Sequence, residues 1–271
     1  MIPERELRID SKLTFWNHIS QAAEKAEKVT ASLSRLMTNV GGPVASKRRL
    51  LMSTTHSILL YGCEIWADAL RMEVYRKKMA SVQRRGALRI TSSYRTVSEA
   101  AVLVVAGVIP IDLLAFERKR LFDGGGALER AAARNRTMDD WQNRWEREVT
   151  GRWTARLIRN LRGWVDREFG EVNYYLTQFL TGHGFFQAYL HRMRLVGSAA
   201  CPYGDSDVDD ALHTFFHCTR WEEERRNLEG VIGQFTPDLI VQTMVSEQEN
   251  WNTVSAYIER VLKQKKAEEL Q

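Results

Sequence analysis

The stretch LRMEVYRKKMASVQRRGALRI, residues 70–90, carries the clearest helical pattern in the chain. Apolar or small side chains recur every three or four residues, which at about 100° per residue places them on one narrow helix face. They are Met72, Tyr75, Met79, Val82, Gly86 and Ile90. The pattern predicts one helix over residues 70–90 that packs along this face.

The remaining surface of that helix is cationic, and only Glu73 opposes its positive charge. The basic residues outside the apolar face are Arg71, Arg76, Lys77, Lys78, Arg84, Arg85 and Arg89. Such a face can contact successive phosphates and release counterions, or it can be a solvated helix face without a partner. Tyr94 and Arg95 follow directly. They could supply a base-stacking ring and a phosphate contact, or they could be a packed tyrosine and a surface arginine.

Helical periodicity also dominates the rest of the chain, so the sequence predicts an all-α protein. Glycine and proline mark helix ends, as at Gly41-Gly42, Pro43, Pro110 and Gly124–Gly126. Further helices are predicted from Asp10 or Ser11 to Asn39, from Pro43 to Leu60, from Pro110 to Leu121, from Trp221 to Ile232 and from Pro237 to Lys266.

Composition narrows the class of protein. The 271 residues are 44% hydrophobic and 27% charged, with a net charge of +5, which permits a nucleic-acid partner without requiring one. No apolar run approaches the ~20 residues that span a bilayer, and the charged first ten residues are unlike an apolar leader. Three cysteines make no disulfide framework. We expect a soluble intracellular protein with no membrane partner, whether nuclear or cytoplasmic.

The most specific local motif is CPYGDSDVDDALHTFFHCTRW, residues 201–221. The spacing of His213 and Cys218 brings an imidazole and a thiolate onto one metal, and Cys201 adds an upstream thiolate. Gly204 stands where the second cysteine of a Cys-x-x-Cys turn would complete a zinc site.

The fourth ligand of this segment stays open from the sequence. His217, Asp205, Asp207 or a water molecule could complete the zinc coordination. Alternatively, the segment is a degenerate, metal-free knuckle held together by the packing of its aromatic residues, Phe215, Phe216 and Trp221.

Several blocks in one order resemble the region after the polymerase palm of non-LTR retrotransposon reverse transcriptases, especially the clade inserting into insect ribosomal genes and telomeric repeats. The blocks are LLYGCEIW (59–66), ALRITSSYRTVSEAA (87–101), AGVIPIDLLAFER (106–118), LTQFLTGHGFFQAYLHRM (176–193), the cysteine–histidine segment and a last helix with Trp251 and Lys263. They cover nearly the whole chain.

This resemblance implies three regions. They are a thumb-like helical bundle (1–122), an arginine- and tryptophan-rich helical connector (123–195), and a degenerate zinc knuckle with the C-terminal helices (196–271). In that family the thumb contacts template and primer, and the knuckle region helps to hold RNA or target DNA. Gly204 departs from the family's cysteine, which puts the knuckle's metal in question.

The residues of two-metal nucleotidyl transfer are missing from the pattern. Such chemistry needs paired carboxylates in a strand context. Asp139-Asp140 fits a helix start, and Asp209-Asp210 fits a solvated turn. We therefore expect a non-catalytic fragment of a reverse transcriptase polyprotein that binds RNA or DNA through phosphates and takes no small-molecule substrate. The alternative is an inert or recruited helical scaffold.

Overall fold

The computed structural model describes residue 7 and residues 9–124 and 127–269. These ranges contain helices and turns and no β-strand, which confirms the all-α prediction. The helices are α1 (Trp16–Ser34), α2 (Ala45–Leu59), α3 (Cys63–Trp66), α4 (Glu73–Thr91), α5 (Glu99–Ala106), α6 (Ile111–Gly124), α7 (Ala127–Arg147), α8 (Arg152–Leu157), α9 (Leu161–Val165), α10 (Tyr174–Thr181), α11 (Gln187–Arg192), α12 (Ala211–Phe216), α13 (Glu222–Ile232), α14 (Ile240–Ser246) and α15 (Gln248–Glu269).

The chain divides into two compact units, each built from two separate stretches of sequence. Unit 1 comprises residues 1–90 and 106–147, and unit 2 comprises residues 91–105 and 148–271. The boundaries predicted at residues 122 and 195 separate functional regions implied by the family resemblance. They stay predictions. Much of the charged start of the chain (1–6 and 8), and Gly125 and Gly126 of the predicted glycine break, lie outside the described residues.

Unit 1 is held together by α1, α2, α3, α4 and α6. Its core includes the fully buried Ile19, Leu59, Trp66 and Met79. Gly86 on α4 lies against Met52 of α2, and a Cβ added there would sit 3.0 Å from the methionine sulfur. A larger residue at this position would therefore require the Met52 side chain to move.

Both predicted ends of the first helix are wrong, and local hydrogen bonds explain where it starts. α1 begins at Trp16 rather than Asp10 or Ser11, because the Asp10 carboxylate accepts the backbone N–H groups of Lys12, Thr14 and Phe15 and holds a turn before the helix. The helix also ends at Ser34, before the predicted Asn39.

The predicted helix 70–90 begins later than expected. Residues 67–71 form a short 3-10 helix, and α4 starts at Glu73. Met72 has an extended backbone and is 57% exposed, so it does not belong to the packed face. The other five residues of that face, Tyr75, Met79, Val82, Gly86 and Ile90, are buried as predicted.

Unit 2 has an aromatic core formed by α10, α12 and α15. Phe179 of α10 meets Phe215 of α12 edge to face, with ring centroids 4.9 Å apart, and Phe215 also contacts Tyr257 of α15 at 6.0 Å. Such edge-to-face pairs add to the free energy gained from apolar burial. This packing fixes α12, the helix that carries His213, on the core.

Among the described residues, no single helix is long and apolar enough to cross a membrane. The helices α5 and α6 reach the required length and composition only when taken together, and they are interrupted between Ala106 and Ile111.

Candidate metal centre and nucleic-acid surface

Four potential metal ligands converge in unit 2. One ligand atom each from Cys201, Asp205, His213 and Cys218 lies within 4.8 Å of the other three. The two sulfur atoms are 3.9 Å apart, so both cysteines are free thiols. Three of these residues are the predicted metal ligands, and Asp205 is one of the candidates for the fourth.

A tight turn places Cys201 and Asp205 beside each other. The Gly204 N–H donates to the Cys201 carbonyl at 3.1 Å, and the Cys201 N–H donates to the Ser206 carbonyl at 2.9 Å. Gly204 has φ +81°, a left-handed conformation that favours glycine. The position expected for a second cysteine therefore has a turn-forming role, and the next residue, Asp205, brings a carboxylate to the group.

The helix α12 places the downstream pair. The Asp210 side chain caps α12 by accepting the His213 N–H at 2.8 Å. After the helix ends, the Cys218 N–H donates to the His213 carbonyl at 2.8 Å. This bond folds the chain back and brings the thiol of Cys218 beside the imidazole.

The His213 imidazole and the Asp205 carboxylate face the same point. His213 Nε2 lies 3.0 Å from Asp205 Oδ1, and the two side chains are 10% and 17% exposed. Nevertheless, the buried Nε2 has no properly directed hydrogen bond to any residue that the structure describes. The other carboxylate oxygen, Oδ2, accepts the Thr219 N–H at 2.6 Å and the Thr219 hydroxyl at 2.9 Å. Asp205 is thus anchored through one oxygen and presents the other.

The electrostatics of this cluster favour an ionised Asp205 and neutral thiols in the absence of an ion. Burial acts to raise the pKa of Asp205, but hydrogen bonds from Cys201 and Thr219 and the nearby His213 lower it overall. Burial raises the pKa of Cys218 to about 12 and also raises the pKa of Cys201. An ion that binds here must displace the thiol protons.

The donor set fits a metal ion of the zinc type. Two sulfur atoms, one imidazole nitrogen and one carboxylate oxygen are all common zinc ligands, and four is the usual number in a structural site. The unbonded Nε2 of His213 supports this fit, because buried polar atoms normally have a partner. The other candidates, His217 and Asp207, lie outside the group of ligand atoms found among the described residues.

The cysteine–histidine segment also contributes two residues, Asp209 and Thr214, to a buried polar cluster with Lys265. The Lys265 ammonium donates to both Asp209 oxygens at 2.5 and 2.6 Å and to the Thr214 hydroxyl at 2.9 Å. The Asp209 and Lys265 side chains are each 1% exposed. The interpretation of Asp209 as part of a solvated turn is therefore wrong. Sequence reasoning missed Lys265 because 56 residues separate it from Asp209.

The second acidic pair also lies elsewhere than expected. Asp139 and Asp140 are exposed residues inside α7, which begins at Ala127, so they do not mark a helix start. They have a helical context and no strand context.

The predicted cationic face lies on unit 1, and much of its charge is paired. Arg71, which precedes α4, pairs with Asp68, and on α4 itself Lys77 pairs with Glu73, Lys78 with Glu24 and Arg85 with Glu27. Glu73 is therefore not the sole opposing charge, because α1 contributes two carboxylates. Arg76, Arg84 and Arg89 are half-buried.

The two remaining predicted contact residues lie in unit 2. Tyr94 is half-buried, and its hydroxyl lies 2.8 Å from that of Tyr174. Arg95 is exposed. The structure thus assigns the predicted nucleic-acid residues to two units: the seven basic residues to unit 1, and Tyr94 with Arg95 to unit 2.

Curated relatives give a family context for these features. The chain is 26% identical to a 115 kDa protein in the type-1 retrotransposable element R1DM of Drosophila melanogaster, over 96% of this chain. It is 25% identical, over 81% of this chain, to the retrovirus-related Pol polyprotein from type-1 retrotransposable element R1 2 of Nasonia vitripennis. The chain is homologous to R1-type non-LTR retrotransposon proteins. This confirms the resemblance inferred from the ordered sequence blocks.

The R1-related chain corresponds to only part of these relatives. It spans 28% of the length of the Drosophila protein and 58% of that of the Nasonia polyprotein. A third relative, the Pol polyprotein of an R1 element of Bradysia coprophila, is 27% identical over 61% of this chain. No protein-family model and no solved structure matches the chain.

Proposed function

We propose that this R1-related region binds RNA or DNA through phosphate contacts, that a zinc ion organises its knuckle, and that the region is not catalytic by itself. The observation that carries the proposal is the convergence of Cys201, Asp205, His213 and Cys218 in a chain homologous to Pol polyproteins. The ligand geometry persists although glycine occupies the expected second cysteine position. A knuckle that can still bind its ion can still present a defined surface.

A zinc ion at this site would contribute folding free energy to residues 201–221. The chain's own residues prepare the centre: Thr219 anchors Asp205, and Asp210 fixes the start of the His213 helix. The ion would join the turn at Cys201 to the end of α12. Its role is structural, because all four positions are filled by protein ligands.

The surface around α4 supports phosphate binding, because its ion pairs are exposed. The side chains of Lys77 and Glu73 are 73% and 62% exposed, and those of Arg71 and Asp68 are 75% and 53% exposed. Pairs this exposed are screened by solvent and contribute little to the stability of the fold. Phosphates can therefore replace the carboxylates at small free-energy cost.

The test is binding of the purified, zinc-loaded chain to labelled single-stranded RNA and to duplex DNA across a salt series. We expect the logarithm of the affinity to fall linearly with the logarithm of salt concentration. Replacing Arg76, Lys77 and Arg84 by Ala should weaken binding and flatten that slope by roughly one per lost phosphate contact. The matched control replaces three exposed arginines of α7, Arg130, Arg136 and Arg147, which removes the same charge elsewhere.

The competing function is a recruited helical scaffold that does not bind nucleic acid. The neutralisation of Arg71, Lys77, Lys78 and Arg85 by carboxylates favours it. If the zinc-loaded chain binds neither RNA nor DNA at about 50 mM salt, where phosphate contacts are strong, the scaffold becomes the better account. Equal losses in the α4 and α7 variants would show that only net charge matters.

A further inference from the structure

Four partly exposed aromatic rings of unit 2 are grouped around Tyr174. We call Tyr94, Tyr174, Tyr175 and Phe185 the aromatic row. The Tyr174 ring is at its centre, with centroid distances of 6.2 Å to Tyr94, 5.4 Å to Tyr175 and 6.3 Å to Phe185. None of the four is fully buried, so the core of unit 2 does not account for them entirely.

A hydrogen-bond network holds one end of the row in place. The Tyr94 and Tyr174 hydroxyls are 2.8 Å apart, and the Tyr94 ring lies 5.6 Å from that of Tyr189. The Tyr189 hydroxyl contacts Thr96 Oγ1 at 2.9 Å, and His183 Nδ1 contacts the same oxygen at 2.9 Å. These bonds fix the rings before any ligand binds, which lowers the entropy cost of binding.

The orientation of His183 follows from its second neighbour. Arg192 lies 3.3 Å from His183 Nε2, and a guanidinium can only donate. Nε2 therefore accepts, and Nδ1 carries the proton that it donates to Thr96. Burial, followed by the charge of Arg192, lowers the pKa of His183 to about 4, which agrees with a neutral ring. His183 is a positioning residue in this network.

Two lysines of α15 lie over the other end of the row. Lys263 Nζ is 5.6 Å from the Tyr175 ring centroid, and Lys266 Nζ is 5.3 Å from that of Phe185. Three residues apart on a helix, the two side chains are neighbours. Lys263 also pairs with the Glu259 carboxylate at 2.6 Å, but its own side chain is 56% exposed. The row thus combines ring surface with adjacent positive charge.

We infer that the aromatic row is a binding surface for unpaired nucleotides of a single strand, with bases stacking on the rings and phosphates meeting Lys263 and Lys266. Aromatic rings beside cations are the arrangement by which proteins bind single strands without reading their sequence. In a duplex the base faces are stacked on one another and cannot reach the rings. The inference rests on the proposed function and assigns single-strand binding to unit 2.

An alternative occupant is a proline-rich peptide, since aromatic-lined grooves also bind such segments. The two lysines favour a polyanion over such a neutral segment, because both ammonium groups lie within 6 Å of the rings that would receive the ligand. A proline-rich peptide is therefore included in the test as a competitor.

The experiment measures binding of the full chain to three labelled probes of equal length by fluorescence anisotropy. They are a 12-nucleotide oligouridylate, an abasic strand that keeps the phosphates without bases, and a duplex. We expect the oligouridylate to bind roughly tenfold or more tightly than the abasic strand, within the range of base stacking on one or two rings. Tyr175→Leu with Phe185→Leu should remove this preference and leave abasic binding unchanged.

A control and a second variant separate stacking from folding. Phe235→Leu alters another half-buried ring of unit 2, which packs on Phe216 and Tyr257 instead, and should keep the preference. Lys263→Gln with Lys266→Gln changes charge at the helix surface and should weaken both single strands alike. Circular dichroism of each variant should match that of the unmodified chain.

The outcomes distinguish this inference from the proposed function. The oligouridylate and the abasic strand could bind equally, with binding lost only in the α4 variant. This result would refute base stacking on the aromatic row and would still support phosphate binding by the chain. Displacement of the oligouridylate by a proline-rich peptide at equal concentration would also overturn it. Absence of binding to every nucleic acid would overturn both proposals together.

Discussion

The helix α4 in unit 1 and the cysteine–histidine segment in unit 2 were both singled out by sequence, but they differ in what surrounds them. On α4 the cations meet carboxylates at the surface, as in the pair of Lys77 with Glu73. In unit 2, Cys201, His213 and Cys218 are buried and point at one another. A run of charges therefore indicates only that a helix surface is exposed. The spacing of potential ligands indicates which side chains come close together.

The difference has a physical origin in how much each feature depends on the fold. Exposed charges keep most of their hydration and interact weakly with many neighbours. Metal ligands must come within a few ångströms of one point, so turns and caps have to place them. Gly204 and the Asp210 cap do this in unit 2. Substitutions in unit 2 should therefore have large effects, and substitutions on α4 should have small ones.

The largest effect is expected at the buried ion pair of Asp209 with Lys265. Lys265→Ala would leave the Asp209 carboxylate buried without a counter-charge, and removing one partner of such a pair costs about 3–5 kcal/mol of unfolding free energy. Urea denaturation followed by tryptophan fluorescence measures this loss. The matched control is Lys263→Ala on the same helix, because its side chain is 56% exposed. Equal stabilities of the two variants would refute a structural role for the pair.

The next effect concerns Asp205, the candidate for the fourth metal ligand. Asp205→Asn should weaken zinc binding by at least the roughly 10- to 100-fold that follows loss of an outer partner of a metal ligand. Asp205→Cys should preserve or tighten it, since a thiolate is a favoured zinc ligand. Competition with a chromophoric chelator measures the affinities.

Gly204→Cys is the control for the two Asp205 variants. It restores the expected Cys-x-x-Cys spacing, but φ +81° is unfavourable for any residue with a Cβ. We expect this variant to bind zinc no better than the unmodified chain. Tighter binding by Gly204→Cys than by Asp205→Cys would mean that the turn rearranges and that Asp205 is dispensable.

These positions show how far the sequence reaches. Spacing alone predicted that Cys201, His213 and Cys218 come together, and the structure brings them close because nearby turns determine their geometry. The spacing left the fourth ligand open, since the choice of Asp205 depends on its bonds to Thr219, 14 residues away. The pairing of Lys265 with Asp209 could not be predicted for the same reason, because 56 residues separate them.

The fold itself was predictable in its class and less so in its boundaries. Apolar spacing correctly assigned Met79, Val82 and Ile90 to a buried face. It misassigned Met72, because a 3-10 turn ends the periodicity before α4 begins. The aromatic row was also beyond sequence reasoning, since Tyr94 and Tyr174 are 80 residues apart.

A smaller, pH-dependent effect compares one half-buried histidine in each unit, His56 and His183. Burial, followed by the charge of Arg118, lowers the pKa of His56 to about 4, and His183 has a similarly lowered pKa. The unfolded chain binds these protons near pH 6.5, so stability is fully present above that pH and falls as the pH drops from 6.5 towards 4. Each histidine contributes a slope of at most about 1.4 kcal/mol per pH unit.

Glutamine variants show which histidine causes the pH dependence of the unfolding free energy. His56→Gln should flatten the pH dependence of unit 1, and His183→Gln should flatten that of unit 2. The measurement is the unfolding free energy at pH 7, 6 and 5, with His217→Gln as a control at an exposed position. Unchanged slopes in both variants would show that these histidines are protonated as easily in the folded chain as in the unfolded one.

The smallest effect on stability is expected on α4, where the ion pairs are exposed. Lys77→Ala removes an ion pair with Glu73, one turn earlier, and solvent screens a pair this exposed so that it contributes little to stability. Urea denaturation should therefore show a change in unfolding free energy at the edge of measurement. A loss above about 1 kcal/mol would mean that α4 depends on its surface charges for folding. If the change is small, weaker nucleic-acid binding by this variant cannot be ascribed to unfolding, and it must come from the lost contact with phosphate.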